Sequence, residues 1–417
     1  MASGKSTACH GVVIIGAGHS GGRASERLRH FGYTAKITLI GKEGDAPYER
    51  PPLSKGVLLT AGSEADTFLF ENDWYSQNDI TLMTNSEVIW IDRLAQSVVL
   101  SCGTDVPYDS LIIATGGRLR HLNALGADLK NILYLKTMKD AKALREKLNN
   151  ATRLVVVGGG FIGLEVAASA RSLGVDVTVI EAADRLMGRA VPKNIGDLVA
   201  KRHAERGIKI VLGKCVECLQ GVRAVEQVVL SDGGVVVANL VVVGVGILPE
   251  TELAERAGLL VENGIVVNDL CKTSDPAIYA IGDVACRKVA PNSCSFRTES
   301  WQNAEAQAAL VAAAITDQEA PECEPPWFWS DQDNMNLQII GQPLDWDNSI
   351  TRGTPGEGPF LMVKMDGNHP VGAISINAKR EMLLMRKLLK AKLPIDRDAL
   401  SDEQTPLKKT VLSALKG

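Results

Sequence analysis

Two glycine-rich segments carry the chemistry most plainly written in this chain of 417 residues: GAGHSG at Gly16–Gly21 and GGGFIG at Gly158–Gly163. Each places glycines at its first, third and sixth positions (Gly16, Gly18 and Gly21; Gly158, Gly160 and Gly163). In such a set the first glycine allows a tight turn, the second lets the backbone approach a pyrophosphate, and the third lets a helix pack closely on a strand. The diphosphate then meets free N–H groups at the positive end of the helix. An acid closing the next strand can accept hydrogen bonds from ribose hydroxyls. Glu181 closes VDVTVIE at about the expected 20-residue distance from the second set. Glu43 closes KITLIGKE after the first set, slightly late because Gly41 and Lys42 intervene. Two such sets in one chain point to two bound dinucleotides and to redox chemistry passed from one to the other.

These residues need strands and helices to hold them. VVII precedes the first glycine set and LVVV the second, each an apolar run that reads as a buried strand, and each set leads into a helix-like stretch. The first unit runs from about Val12 to Gly116 and passes through the turn-rich PYERPPLSK at Pro47–Lys55 before closing with YDSLIIATGG. The second unit closes with the matching NLVVVGVGILP, where Gly244 and Gly246 again follow a strand. DPAIYAIGDVA then supplies another strand ending in Gly282-Asp283, and an alanine-rich helix is predicted over 301–315. The prolines of PECEPPWFW mark a linker. Beyond it, LQIIG, FLMVKM and GAISIN alternate as strands before a basic helix. The fold class expected is α/β: two Rossmann-like dinucleotide-binding domains plus a small C-terminal α+β domain.

Size and composition set limits. The length calls for two or three domains. A net charge of −4 gives no reason to expect nucleic acid or an anionic membrane as partner. MASGKSTACHG lacks the apolar core of a cleavable signal, and no apolar run is long enough to span a bilayer. GKST near the start lacks the upstream glycine and strand of a phosphate loop and is read as a flexible terminus. Eight scattered cysteines suit a reducing cytoplasm. Cys215 and Cys218, in GKCVECLQG, follow a strand-like run and are read as bystanders; His19 is read as filling a variable loop position. No metal site is expected.

The segments PYERPPLSK, ATGGRLR, GGGFIGLEVAASAR, EAADRLMGR, VVVGVGILPE, YAIGD, ESWQNAEAQA and WFWSDQ followed by LQIIG together resemble the pyridine-nucleotide flavoproteins of glutathione-reductase-like topology. Within that superfamily the chain is similar to the FAD-dependent, NADH-dependent ferredoxin and rubredoxin reductases, which include the reductase components of aromatic-ring dioxygenases. The resemblance covers almost the whole chain. It implies a discontinuous FAD domain, 9–117 and 247–322, interrupted by an NAD domain, 118–246, and followed by a C-terminal domain, 323–417.

The resemblance also implies roles. Gly16, Gly18 and Gly21 would cradle FAD, with Glu43 at the adenosine ribose and Thr115, Gly116 and Arg118 among the FAD contacts. Arg50 and Lys55 would set cations against the flavin, Asp283 would meet the ribityl or phosphate region, and Trp301 would abut the isoalloxazine. Gly158, Gly160, Gly163, Arg189 and Gly246 would hold NADH. Glu181 favours NADH because a carboxylate there bonds a ribose 2′-hydroxyl and repels a 2′-phosphate; Arg185 and Arg189 lie near enough in sequence to offset part of that repulsion. Glu165 would also belong to the NADH contacts, reaching toward the nicotinamide pocket; it is expected to pair with Lys55, and these two are the candidate catalytic residues. After WSDQ the family's usual aromatic–acid pair is replaced by Asp333-Asn334, a departure that bears on partner docking or flavin-edge packing.

Disulfide reductases of this superfamily carry a redox Cys-x4-Cys pair where this chain has PYERPPLSK, and no cysteine stands between Cys9 and Cys102. Electrons are therefore expected to leave the flavin directly, one at a time, for a [2Fe–2S] ferredoxin or rubredoxin serving a Rieske dioxygenase or haem-thiolate monooxygenase. Lys379, Arg380, Arg386, Lys387, Lys390 and Lys392 against the single Glu381 could steer an acidic partner or form a solvated helix face. Two other readings are an apoptosis-inducing-factor-like flavin- and NADH-binding protein and an NADH oxidase. A cytoplasmic monomer or homodimer is expected.

Overall fold

The computed structural model describes residues 10–288, 296–322, 324–341 and 345–416; the GKST segment and Cys9 lie outside them. The chain divides into two compact units. The first comprises Met1–Arg50, Glu64–Arg118 and Ile247–Cys323, and the second Pro51–Ser63, Leu119–Gly246 and Glu324–Gly417.

The first unit is built on a five-stranded parallel sheet in the order Ile278–Ala280, Ser110–Ile113, Val12–Ile15, Ile37–Ile40, Ile80–Met83. Its inner strands are largely apolar, with Thr38 breaking one run, because both faces are covered. Val13 and Ile15 enter one buried cluster while Val12 and Ile14 enter the other, the alternation that a pleated strand imposes. The second cluster also takes Ala24 and Leu28 from the helix His19–His30 and Ala308, Val311 and Ala312 from the helix Trp301–Ile315. Small alanines let these two helices lie close together.

The second unit repeats the parallel plan with Lys209–Leu212, Asp176–Glu181, Arg153–Val157, Leu240–Val243 and Ile132–Tyr134 in that order. Cys218 lies in the strand Val216–Gln220 of a small antiparallel sheet, and both Cys215 and Cys218 are free thiols. The end of the chain belongs to this same unit. There an antiparallel sheet, ordered Trp327–Gln332, Met335–Ile340, His369–Ile376, Phe360–Asp366, Ser349–Arg352, packs against the amphipathic helix Lys379–Ala391 through Met382, Met385, Leu388 and Leu389. Asp333-Asn334 forms the two-residue hairpin between the first two strands, with Asp333 at φ +57° and its carboxylate 2.5 Å from Arg206 Nη2. No helix of the described residues is long and apolar enough to cross a membrane.

Candidate functional site

In the first unit the glycine loop follows strand Val12–Ile15, and its geometry leaves little choice of residue. Gly16 has φ +111°, and a Cβ on Gly21 would lie 1.9 Å from the carbonyl oxygen of Gly16. Gly18 differs: its φ is −88°, and its added Cβ would meet only Arg50 Nη2, at 3.6 Å. The helix His19–His30 begins there with no side-chain cap among the described residues, so its first N–H groups are free to bind an anion. A diphosphate fits this cradle.

Glu43 does not stand alone at the strand end. Its Oε1 lies 2.7 Å from Arg50 Nη2, and its Oε2 accepts the Tyr48 hydroxyl at 2.5 Å. Burial works against the Arg50 charge, but Tyr48, Glu43 and Asp283 outweigh it and hold the guanidinium pKa above its ordinary value. Asp283 lies in the short turn Gly282–Val284, whose first N–H donates to Gln307 Oε1 at 2.7 Å. Thr115 donates its hydroxyl to the carbonyl of Glu250 at 2.8 Å, Gly116 accepts the Glu250 N–H at 2.9 Å, and Arg118 approaches the Glu250 carboxylate at 3.8 Å. These three residues thus anchor the chain where it re-enters the first unit.

Trp301 opens its helix and donates Nε1–H to Glu49 Oε1 at 3.3 Å, with its ring centroid 5.2 Å from that of His19. His19 is buried rather than a loop filler: its Nε2 lies 2.9 Å from Glu305 Oε1. Burial raises the Glu305 pKa, but His19, Arg23 and Arg27 more than offset this and keep the carboxyl below its usual range.

The second unit repeats the cradle. Gly158 has φ +109°, a Cβ on Gly163 would lie 2.2 Å from the Gly158 carbonyl oxygen, and a Cβ on Gly160 would point into open space. Glu181 is held at the rim of this loop, where its two oxygens accept the N–H groups of Gly159 at 2.6 Å and Ala183 at 2.8 Å. Arg185 is turned onto the Gly188 carbonyl, and Arg189 Nη2 comes within 3.6 Å of a Cβ placed on Gly246.

Lys55 and Glu165 meet as the family resemblance implied: Nζ stands 2.7 Å from Oε2. Glu165 sits in the first half of the helix Phe161–Ser172 and is 2% exposed. Two partners escaped the sequence reading. Ser54 donates to Oε2 at 2.5 Å and Ser330 to Oε1 at 2.6 Å. Ser169, one helical turn beyond Glu165, donates to the Ser54 carbonyl at 2.8 Å and fixes the turn that carries Lys55. Lys55 itself also donates to the Pro51 carbonyl at 3.1 Å. Three donors around one buried carboxylate offset the cost of taking its charge out of water and keep its partner oriented. Among the described residues no group of three or more His, Cys, Asp or Glu side chains is arranged to hold a metal.

Of the basic residues on Lys379–Ala391, Arg386 and Lys390 each lie 3.3 Å from Glu324, and Arg386 also covers the Trp327 ring at 4.5 Å. Part of that charge is thus spent within the unit.

Residues 10–308 match the pyridine nucleotide-disulphide oxidoreductase family, and residues 327–411 match a domain described as reductase C-terminal. The anthranilate 1,2-dioxygenase system ferredoxin–NAD(+) reductase component of Burkholderia cepacia is 40% identical over 397 residues, which are 95% of this chain and 98% of that protein. The rubredoxin–NAD(+) reductase of Pseudomonas putida is 41% identical over 340 residues, 81% of this chain and 88% of that one. Among solved structures, the covalent putidaredoxin reductase–putidaredoxin complex shares 34% identity and superposes with a TM-score of 0.94, covering 98% of this chain and 99% of that one. Paired glycine cradles, the matching length and these likenesses agree: the chain belongs to the pyridine nucleotide-disulphide oxidoreductase family.

Proposed function

We propose that this protein is an NADH-dependent flavoprotein reductase that delivers single electrons to a [2Fe–2S] ferredoxin or rubredoxin, and through it to a terminal oxygenase. The observation that carries this reading is the pairing of Lys55 with the buried Glu165 in a chain with two dinucleotide cradles and no cysteine near PYERPPLSK. FAD, when bound, supplies the chemistry that converts a two-electron hydride donor into a one-electron source.

The chain's own residues bind, orient and tune. Gly16, Gly18, Gly21, Glu43, Arg50, Thr115, Gly116, Arg118, Asp283 and Trp301 are assigned to FAD, on residues 9–117 and 247–322. Gly158, Gly160, Gly163, Glu181, Arg189 and Gly246 are assigned to NADH, on residues 118–246, and residues 323–417 form the C-terminal domain. Glu43 reaches its cofactor as part of a Tyr48–Glu43–Arg50 cluster. Lys55 is assigned the positive charge that favours the reduced flavin, and Glu165 the orientation of that lysine. A cytoplasmic location is supported by the free state of Cys102, Cys215, Cys218, Cys271 and Cys286.

The purified protein should be yellow and should lose its colour with NADH under anaerobic conditions. Cytochrome c reduction should rise steeply when a [2Fe–2S] ferredoxin is added. Rapid NADH consumption with oxygen alone, indifferent to added ferredoxin, would instead mark an oxidase.

Glu181 gives a second expected result. Glu181→Ala removes a charged acceptor from the glycine-loop rim, so KM for NADH should rise about tenfold, the worth of one charge-assisted hydrogen bond. KM for NADPH should fall or stay level, because the repulsion of a 2′-phosphate is gone. Parallel steady-state titrations with the two nucleotides check this; equal losses for both would mean that Glu181 only shapes the loop.

A further inference from the structure

The segment WFWSDQ has a role that the Lys55–Glu165 pair alone does not reveal. In an extended strand, alternate residues share a face, so Phe328, Ser330 and Gln332 stand in a row. Each meets a partner within the second unit. The Phe328 ring packs on Phe161 at 4.4 Å, Ser330 donates to Glu165 Oε1 at 2.6 Å, and Gln332 Oε1 lies 2.8 Å from His203 Nε2. Gln332 Nε2 donates to Ser330 Oγ at 3.1 Å. Ser330, Gln332 and His203 are all buried, at 0%, 3% and 4% exposure.

The direction of every proton in this row follows from its end. An ionised carboxylate only accepts, so the Ser330 hydroxyl hydrogen points at Glu165 and the Ser330 oxygen must accept from Gln332. That requires the amide nitrogen of Gln332 to face Ser330, which turns its oxygen toward His203. An amide oxygen only accepts, so His203 must carry its hydrogen on Nε2. Burial lowers the His203 pKa, opposed by the Gln332 hydrogen bond and by Asp333, and a neutral ring then has Nδ1 unprotonated. All three hydrogen bonds donate toward Glu165, an alignment in which each bond polarises the next.

We propose that Ser330, Gln332 and His203 are positioning residues, a polarised hydrogen-bond chain that fixes the Glu165 carboxylate and through it the Lys55 ammonium. The role in hydride transfer rests on the function proposed above; the chain and its tautomer do not. His203 and Gln332 also line a cavity of about 410 Å³ with Arg171, Arg202, Arg206 and Asp333, so the far end of the chain lies at a polar recess while its near end is at the buried carboxylate.

Two measurements test this on the flavin-loaded protein. The first is nitrogen NMR of protein labelled with ¹⁵N-histidine, with the His203 signal assigned by its loss in His203→Gln. The chain requires a neutral Nε2–H tautomer that is lost or mixed in Gln332→Leu; an Nδ1–H tautomer in the unaltered protein, or one indifferent to Gln332→Leu, overturns the proposal. This readout on the unaltered protein stands even where a variant folds poorly.

The second is the anaerobic rate of flavin reduction by NADH. Gln332→Leu and His203→Leu should each slow it about tenfold, within the range by which remote misplacement affects catalysis, with little change in NADH affinity. His203→Gln, which keeps an N–H near the same place, should recover most of the rate. In a Glu165→Gln background Gln332→Leu should add nothing, because the amide there carries no charge for the chain to hold against Lys55. Unchanged rates in the leucine variants, or full additivity with Glu165→Gln, would refute positioning. If the unaltered protein is not reduced by NADH, the proposed function fails, while the tautomer result still decides whether the chain exists.

Discussion

Lys55→Met should slow flavin reduction by NADH at least about a hundredfold and lower the stability of the protein by about 3 kcal/mol. The stability loss comes from what remains. Glu165 keeps Ser54 and Ser330 as donors but loses the ammonium 2.7 Å away, in a place where the carboxylate is 2% exposed. Removing one member of a buried pair leaves an uncompensated charge, which typically costs about 3–5 kcal/mol; the low end applies because the Lys55 side chain is 22% exposed. Removing both charges in Lys55→Met/Glu165→Leu should therefore be less damaging to stability than Lys55→Met alone, while the rate stays low. Urea titration separates these stabilities and stopped-flow absorbance gives the rates. A Lys55→Met protein that reduces its flavin at the normal rate would remove the pair from the chemistry.

Gly21→Ala and Gly18→Ala should fail in different ways although they lie three residues apart. The Cβ introduced by Gly21→Ala would lie 1.9 Å from the Gly16 carbonyl oxygen and 3.3 Å from the Ile14 side chain. Strand and helix would have to separate, at a cost of at least about 3 kcal/mol, the upper range for forced overpacking. The Cβ introduced by Gly18→Ala would meet no atom nearer than 3.6 Å, at a backbone conformation open to any residue. Gly18→Ala should therefore keep its apoprotein stability within about 1 kcal/mol and lose its flavin affinity about tenfold or more, because the methyl group points where the diphosphate must come. Thermal unfolding of the apoproteins and FAD titration by fluorescence quenching distinguish the two. Wild-type affinity in Gly18→Ala would show that the backbone there does not approach the cofactor.

The features legible in the sequence were those set by local geometry. A glycine at φ +111° or beneath a helix leaves a mark that no other residue can replace, and strands covered on both faces are largely apolar. Glu181 was readable because its strand ends at a fixed distance from its loop. The Lys55–Glu165 contact spans sequence positions too distant for any periodicity to join; only the resemblance connected them. Ser54, Ser330, Gln332 and His203 were missed because each is an ordinary polar residue until folding links it to the same carboxylate, the serines directly and the other two through Ser330. WFWSDQ did hold a signal, Ser330 and Gln332 at strand spacing on the same face as Phe328, but alternation names a face and not its partner. The same limit applied to Glu43, whose bonds to Tyr48 and Arg50 depend on how PYERPPLSK folds back, and to His19, whose acid lies in the distant helix Trp301–Ile315.

The order in which the first sheet is completed has a consequence for synthesis. Ile278 pairs with Leu111 although the whole second parallel sheet, whose last strand ends at Val243, lies between them in the sequence. A ribosome adding about 5–20 residues per second therefore releases every strand of the second sheet before the first can close. Until Ile278–Ala280 emerges, Ser110–Ile113 presents an unpaired apolar edge, the kind of surface that recruits other chains. The helix Trp301–Ile315, which covers one face of that sheet through Ala308, Val311 and Ala312, emerges later still. Nascent chains halted between Val243 and Ile278 should therefore aggregate more readily than full-length ones. The parallel sheet begun first is the one closed second.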